Sequence, residues 1–338
     1  MTKLRWGILG TGNIARQFAD GVRDCPRALI TAVGSRSVES AKSFASSRGV
    51  ARAYGSYAEL LRDDTVDAIY NSLPNNLHHE WTIRALEAGK HVLCEKPFAM
   101  NFEQAKEMFA AAKKHDRVLV EAFMYRSHPL THAVLGAVRS GEIGQLRLIR
   151  TSFCYRTARM ENIRFQKPLG GGGLMDIGCY CINFSRLIAR CEPSKVHATA
   201  IIGPTGVDTV LVGTLTFPTG VLASFTCGMD LHANNTVTIS GTEGYIEVPV
   251  PWKPPAQRAE YVLAHSTPPK MDTPPTAGKG PPPRESRFVD ANLELYALEA
   301  MDFAATVFDG KPPAVSEADT LGNMAVIDEM RRQIAVEF

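Results

Sequence analysis

The segment GILGTGNIA places Gly10, Gly12 and Ala15 in a G-x-G-x-x-[GA] arrangement, directly after an apolar strand and at the start of a helix. In that context the spacing has a mechanism. Gly10 permits the tight turn, Gly12 lets backbone N–H groups approach a pyrophosphate, Ala15 allows close helix–strand packing, and the helix dipole favours the anion. The turn residues Thr11, Asn13 and Ile14 are then expected along the dinucleotide. At the end of the second strand, where an NAD site usually carries Asp or Glu for the ribose hydroxyls, the chain reads Gly34-Ser35-Arg36-Ser37. An arginine flanked by two hydroxyls suits a 2′-phosphate, so Ser35 and Arg36 favour NADP(H) over NAD(H). The plainer alternative is a solvated arginine with Ser37 capping the next helix. Farther along, Asp176 and Tyr180 stand four apart, which on a helix lets a carboxylate and a phenol point into one cleft.

These residues need strand ends and helix starts to position them. The first 120 residues alternate apolar strands (LRWGILG at 4–10, ALITAVG at 28–34, VDAIYNSL at 66–73, HVLCE at 91–95, RVLVEA at 117–122) with helical segments. Ser56 with Glu59 and Asn101 with Gln104 mark two of the helix starts, and Gly49 a helix stop. Buried strands alternating with helices predict a parallel sheet with helices on both faces. After about residue 125 the texture changes. QLRLIRTSFCYR, KVHATAI, TVLVGTLTF, VLASFTCGM, TVTIS and YIEV predict an open, mainly antiparallel sheet, with one helix at about 176–189 set among its first elements. Residues 249–283 hold about half of the 21 prolines and are expected to form an irregular surface excursion rather than a core element. Two amphipathic helices close the chain. The fold class is therefore α/β followed by α+β, in two domains.

Composition narrows the function classes. Of 338 residues, 45% are hydrophobic and 21% charged, which suits a globular protein rather than a disordered or fibrous one. Lys and Arg number 37 against 35 Asp and Glu, so no bulk field invites nucleic acid or an anionic membrane. The longest apolar runs fall short of the ~20 residues a membrane helix needs, and the start lacks a signal-peptide core. The expected location is the cytoplasm. The seven scattered cysteines form no CxxC pair and read as buried apolar residues. The nine histidines show no metal-binding spacing, so no metal is expected.

Three further motifs carry a family resemblance. SLPNNLHHE (72–80) sits at the end of the third strand and CEKPF (94–98) at the end of the fourth, where ligands bind in open α/β sheets. LGGGGLMDIGCYCINF (169–184) leads into the second domain's helix. With the glycine fingerprint and the closing DTLGNMAVIDEMRRQ, these resemble the Gfo/Idh/MocA oxidoreductases over nearly the whole chain. Tyr180, where inositol-dehydrogenase-like members commonly have His, resembles the branch of dihydrodiol dehydrogenases, aldose dehydrogenases and glucose–fructose oxidoreductase.

The resemblance implies a Rossmann NADP-binding domain over 1–124 and an open-sheet substrate domain over 125–338, with the active site between them and the last helix able to pack back on the first domain. It implies that Lys96 is the catalytic lysine beside the nicotinamide, with a pKa lowered by partial burial and a cationic neighbour. Tyr180 would donate to a carbonyl oxygen or accept a hydroxyl proton, with the lysine's charge favouring the phenolate. Asp176 would orient the lysine or a substrate hydroxyl. The rival reading of Tyr180 is a packed residue with its hydroxyl on a backbone group. Ser72, Leu73, Pro74 and Asn75 are expected along the cofactor, as are His78 and Arg126 near the nicotinamide, with a structural histidine and an ordinary ion pair as their rivals. Glu95 would fix the loop and a ribose hydroxyl. Gly170–Gly173 would allow a close turn in the cleft, with plain flexibility as the equal rival, and substrate-selecting residues are expected within 155–167 and 231–235.

The implied activity is NADP(H)-dependent hydride transfer on a sugar, cyclic polyol or diol. Aldose oxidation to a lactone comes first, followed by trans-dihydrodiol oxidation or keto-sugar reduction. A non-catalytic NADP-binding sensor and a glycosidase that uses its nicotinamide transiently are the alternatives from other classes. Pairing through the open sheet as a homodimer or homotetramer is also implied.

Overall fold

The computed structural model describes residues 2–157, 159, 161–265 and 283–336. Strands β1 (Leu4–Leu9), β2 (Ala28–Gly34), β3 (Arg52–Tyr54), β4 (Ala68–Asn71), β5 (His91–Glu95) and β6 (Leu119–Ala122) form one parallel sheet in the order β3-β2-β1-β4-β5-β6. Helices α1 (Asn13–Gly21), α2 (Val38–Arg48), α3 (Tyr57–Leu61), α4 (His78–Glu87) and α5 (Phe102–Lys114) connect them. Trp6, Ile8 and Leu9 of β1 and all of β4 are buried, which is why these strands read as unbroken apolar runs. Chain order reverses at β1, with β2 on one side and β4 on the other, so a crevice opens at the carboxyl ends of these strands. This is the expected Rossmann sheet with one strand more than the sequence predicts. The extra strand, β3, is three half-buried residues and too short to carry a periodic signal. The two expected helix starts form as side-chain caps, with Ser56 accepting the Glu59 N–H and Asn101 the Gln104 N–H.

Helix α6 (Pro129–Arg139) leads to a second sheet of β7 (Leu146–Cys154), β8 (Lys195–Ile202), β9 (Asp208–Thr216), β10 (Leu222–Gly228), β11 (Val237–Gly241), β12 (Gly244–Val248), β13 (Ala259–His265) and β14 (Arg284–Val289). The order is β14-β13-β12-β11-β7-β10-β9-β8, antiparallel except where β10 runs parallel to β7. Helices α7 (Cys179–Ala189) and α9 (Glu317–Gln333) pack on one face of this sheet. The other face leaves Ile201, Val212 and Leu222 63%, 51% and 50% exposed. The proline-rich stretch departs from expectation. Trp252 is buried, and β13, buried from Tyr261 to Ala264, is a full strand between β12 and β14. The prolines bracket this short apolar run rather than interrupt it; residues 266–282 of the stretch lie outside the described residues.

The chain's last helices return to the first sheet. Helix α8 (Leu295–Asp309) packs on α1 and β2, bringing Phe303 to 5.0 Å from Trp6 and Tyr296 to 6.3 Å from Phe18 between ring centroids. Helix α9 bridges α5 and α7. Among the described residues no helix is long and apolar enough to cross a membrane.

Two buried carboxyls brace the loops that lead into the cleft. Glu121 of β6 accepts the Phe98 N–H at 3.0 Å, and burial pushes its carboxyl up to about 8. Asp208 of β9 accepts the Leu174 N–H at 2.6 Å, and burial pushes it up to about 7. Gly172, with φ +122°, passes so close to Asp208 that a Cβ there would strike the carboxylate. A carboxyl whose folded pKa exceeds its unfolded one stabilises the fold at low pH and loses that contribution as pH rises through the folded value. Asp208 therefore weakens the fold progressively between about pH 4 and about pH 7. Asp208→Asn keeps an acceptor for Leu174. It should gain stability relative to the unaltered protein, on the order of 1–3 kcal/mol, as pH rises from about 5 to about 8 in denaturant unfolding. A difference that does not change with pH would show that the carboxyl titrates normally.

Candidate active site

The turn after β1 keeps the geometry its glycines allow. Gly10 has φ +96° and donates its N–H to Gly34 O at 2.9 Å, tying the ends of β1 and β2. Gly12 is the N-cap of α1, no side chain caps this helix, and a Cβ at Gly12 would meet nothing within 4 Å. The positive end of α1 thus opens onto space, with first-turn N–H groups left for an anion. That space is a cleft of about 510 Å³ between the two sheets. One end is lined by Gly10, Thr11, Gly12, Asn13, Ile14, Gln17, Ser35, Arg36 and Tyr57, the middle by Ser72, Leu73 and Pro74. Ser72 donates to Leu9 O at 2.7 Å, which locks the β4 loop to the β1 turn.

The far end holds Lys96, Asp176 and Tyr180 with Met124, Phe153, Tyr155, Ile163, Arg164, Ile177 and Lys253. Lys96 follows β5, and its Nζ donates to the Asp176 carbonyl at 2.9 Å while standing 3.6 Å from Asp176 Oδ1. Asp176 lies in a π-helical turn (Leu174–Gly178) that precedes α7, and its Oδ2 accepts Tyr155 OH at 2.7 Å and Arg164 Nε at 2.8 Å. Burial pushes the Asp176 carboxyl up, but Lys96, Arg164 and Tyr155 outweigh it and hold the group below its usual value. Burial likewise pulls the Lys96 ammonium down, yet Asp176, Cys179 and Glu95 leave it raised. The expected lowering of Lys96 is therefore corrected, because the acidic surroundings exceed the cost of desolvation.

Tyr180 is buried, and its hydroxyl lies 3.4 Å from Met124 Sδ. Its ring packs edge-on against Phe123, Phe153 and Trp252. Lys96 Nζ sits over the ring face, 5.2 Å from the centroid, rather than against the oxygen. Burial, then Glu95 and Cys179, push the phenol well above its usual value. This corrects a second expectation, since the lysine does not draw the phenolate out. The arrangement holds a cationic donor and a protonated phenol at one end of a cleft whose other end can receive a dinucleotide's phosphates.

Comparison with known proteins agrees with this geometry. The family model described as an oxidoreductase family with an NAD-binding Rossmann fold matches residues 4–123, and that of the GFO/IDH/MocA C-terminal domain matches residues 132–247. The chain belongs to the Gfo/Idh/MocA oxidoreductase family. The trans-1,2-dihydrobenzene-1,2-diol dehydrogenase of Mus musculus is 32% identical over 99% of this chain and 98% of that one. A 3-ketoreductase from Actinomadura kijaniata, solved with NADP and TDP-benzene, superposes with a TM-score of 0.87 at 31% identity over 98% of each chain. Aldose-aldose oxidoreductase from Caulobacter crescentus gives 0.87 at 26% identity, again over 98% of each.

Within this Gfo/Idh/MocA chain most of the expected site residues share the main cleft. Asn75, His78 and Glu95 instead line an adjoining recess of about 100 Å³ that also touches Ile14, Lys96 and Asp176. Asn75 Nδ2 donates to Gly170 O at 2.8 Å. His78 is the structural histidine of its two readings. Its ring nitrogens lie 2.9 Å from Pro97 O and 2.8 Å from Leu73 O, and burial lowers it to about 4. Glu95 accepts the Tyr70 hydroxyl and the Lys96 N–H, so it fixes the lysine's loop. Arg126 lines neither recess, which corrects its placement near the nicotinamide. The 3-10 turn Met124–Ser127 aims Met124 into the cleft and Arg126 the other way, onto Asn183 and Asp319. Tyr155, Ile163 and Arg164 fall in the loop expected to select substrate, whereas residues 231–235 line neither recess. Gln17, Tyr57, Met124, Phe153 and Lys253 were not foreseen; only the loop between β7 and the glycine run carried a positional hint.

Asp176 is the largest of the groups that offset the desolvation of Lys96, so Asp176→Asn should remove most of that opposition. The Lys96 pKa is then expected to fall, read by NMR of the lysine ammonium across pH. No change would mean that the carboxylate does not set the lysine's state.

Proposed function

We propose that this oxidoreductase uses NADP(H) to interconvert a ring carbinol and its carbonyl on a cyclic vicinal diol or sugar, with Lys96 and Tyr180 at the reacting oxygen. The observation that carries this reading is the convergence of Lys96, Asp176 and Tyr180 on the same cleft as the open start of α1. When bound, the nicotinamide supplies or takes the hydride. Lys96 holds the carbonyl oxygen by a charge-assisted hydrogen bond, and Tyr180, kept protonated by burial, gives that oxygen its proton as the carbonyl is reduced. In oxidation the substrate hydroxyl gives its proton to Tyr180, which must first have lost its own, so reduction calls for the phenol and oxidation for the phenolate. Asp176 keeps Lys96 charged, and Arg164 and Tyr155 hold Asp176 in place.

Arg36, exposed at the cleft rim with Tyr57 beside it, supports NADP(H), since the end of β2 offers no acid to a ribose. Met124, Phe153, Ile163 and Ile177 give the catalytic end an apolar wall, which favours a ring with one apolar face, as in a trans-dihydrodiol. The polar set of Asp176, Arg164 and Tyr155 favours an aldose as the second reading.

The test is cofactor absorbance with NADP(H) and NAD(H) against trans-dihydrodiols, aldoses and their oxidised forms. Lys96→Ala and Tyr180→Phe should each lower turnover by about 10²–10⁴ while NADPH still binds. Arg36→Ala should weaken NADPH by roughly ten- to a hundredfold and spare NADH. Turnover near the unaltered level in both catalytic variants would remove the assigned roles.

We also propose that two copies pair through the open face of the second sheet, covering Ile201, Val212 and Leu222. Light scattering at micromolar concentration should give a dimer or tetramer mass, and a monomer would refute the pairing.

A further inference from the structure

Lys253 belongs to the second sheet's side of the cleft but reaches the first. The residue before it, Trp252, is locked in place. Its indole donates to Ser152 O at 2.8 Å and stacks on Phe153 at 5.6 Å between ring centroids, with the planes 10° apart. From that anchor Lys253 crosses the cleft mouth, and its Nζ donates to Gln17 Oε1 at 2.9 Å. Gln17 stands on α1 four residues after Asn13, hence one turn beyond the uncapped start of the helix and on the same side. Tyr296 of α8 donates to the same Gln17 oxygen at 3.3 Å, so the amide acceptor is shared.

The ammonium is therefore held by a neutral amide oxygen rather than by a carboxylate. Partial desolvation and the nearby Lys96 and Arg164 lower the pKa of this exposed lysine, against the opposing pull of Glu95 and Asp176. An ammonium held by a neutral amide beside a helix start with unserved N–H groups is suited to an anion. These are two independent features. One is a side chain delivered by the substrate-side sheet, the other a backbone cradle in the Rossmann sheet, and both line the same cleft.

We propose that Lys253 is a cofactor clasp, leaving Gln17 to bind the dinucleotide pyrophosphate from the second domain's side. The anion is then gripped from both sides of the cleft, by the N–H groups of α1 and by Lys253. Cofactor binding thereby draws the two sides together, and release requires the lysine to let go. The inference rests on the reading that this cleft takes NADP(H). It adds a phosphate ligand outside the glycine fingerprint.

The experiment is fluorescence titration of the full-length protein with NADPH and with NADH, at several salt concentrations, without substrate. Lys253→Met is expected to raise Kd by roughly ten- to a hundredfold for both dinucleotides alike, because both carry the pyrophosphate, and to flatten the salt dependence. Lys253→Arg should retain most of the affinity. Gln17→Leu, which removes the acceptor that Lys253 and Tyr296 share, is expected to cost clearly less affinity than Lys253→Met. Equal Kd in Lys253→Met and the unaltered protein overturns the clasp. So does a loss in Gln17→Leu as large as in Lys253→Met, which would make the pair a structural tie. A loss in Lys253→Met confined to NADPH overturns it too, by moving the contact to the 2′-phosphate. Absence of NADPH binding by the unaltered protein would instead sink the reading of the cleft itself.

Discussion

Lys96 and Asp176 meet across the space between two sheets that share no strand. The lysine directly follows β5 of the parallel sheet, and the aspartate sits in the π-helical turn that opens onto α7 of the other half. Their side chains are only 12% and 13% exposed, so neither charge has bulk water to fall back on. Removing one partner of such a pair strands the other, which is the costly case for a buried charge. The pair is therefore a constraint on everything around it. Glu95 must fix the lysine's backbone, Arg164 and Tyr155 must occupy the aspartate's other oxygen, and Asp208 must hold the turn that carries the aspartate.

Around this polar centre the structure is aromatic. Phe123, Tyr125, Phe153, Tyr180 and Trp252 form a continuous set of ring contacts drawn from both sides of the cleft. Such a wall lowers the local dielectric, strengthens the hydrogen bonds to Asp176, and keeps the Tyr180 proton on its oxygen. Chemistry at this end depends on a phenol that gives up its proton only when a substrate oxygen accepts it.

How far the sequence foretold this varies with the distance over which each feature is decided. The glycine turn, the strand ends bearing Lys96 and Ser72, and the caps at Ser56 and Asn101 are local, so spacing alone located them. The two-sheet order followed from a change in periodicity near residue 125. The failures are either non-local or fall in segments too short to carry a pattern. The sign of the Lys96 shift depends on a carboxylate 80 residues away, and the direction of Arg126 on a single 3-10 turn. The function of Lys253 is hidden because prolines around it look like a loop, while Trp252 and β13 are in fact bound into the sheet. The strand β3 is too short for any pattern to reveal it.

The packing of α8 onto β1 and α1 has a consequence for how the chain comes to be made. Trp6 and Phe18 leave the ribosome well before Phe303 and Tyr296, the rings that cover them from far along the chain. A parallel-sheet half that could otherwise fold as it appears must wait, with one flank of its core uncovered, until α8 has been delivered. These long-range contacts raise the contact order of what looks like a local α/β unit, slowing its completion. Until α8 arrives, the nascent protein carries an apolar patch that chaperones or neighbouring chains can reach.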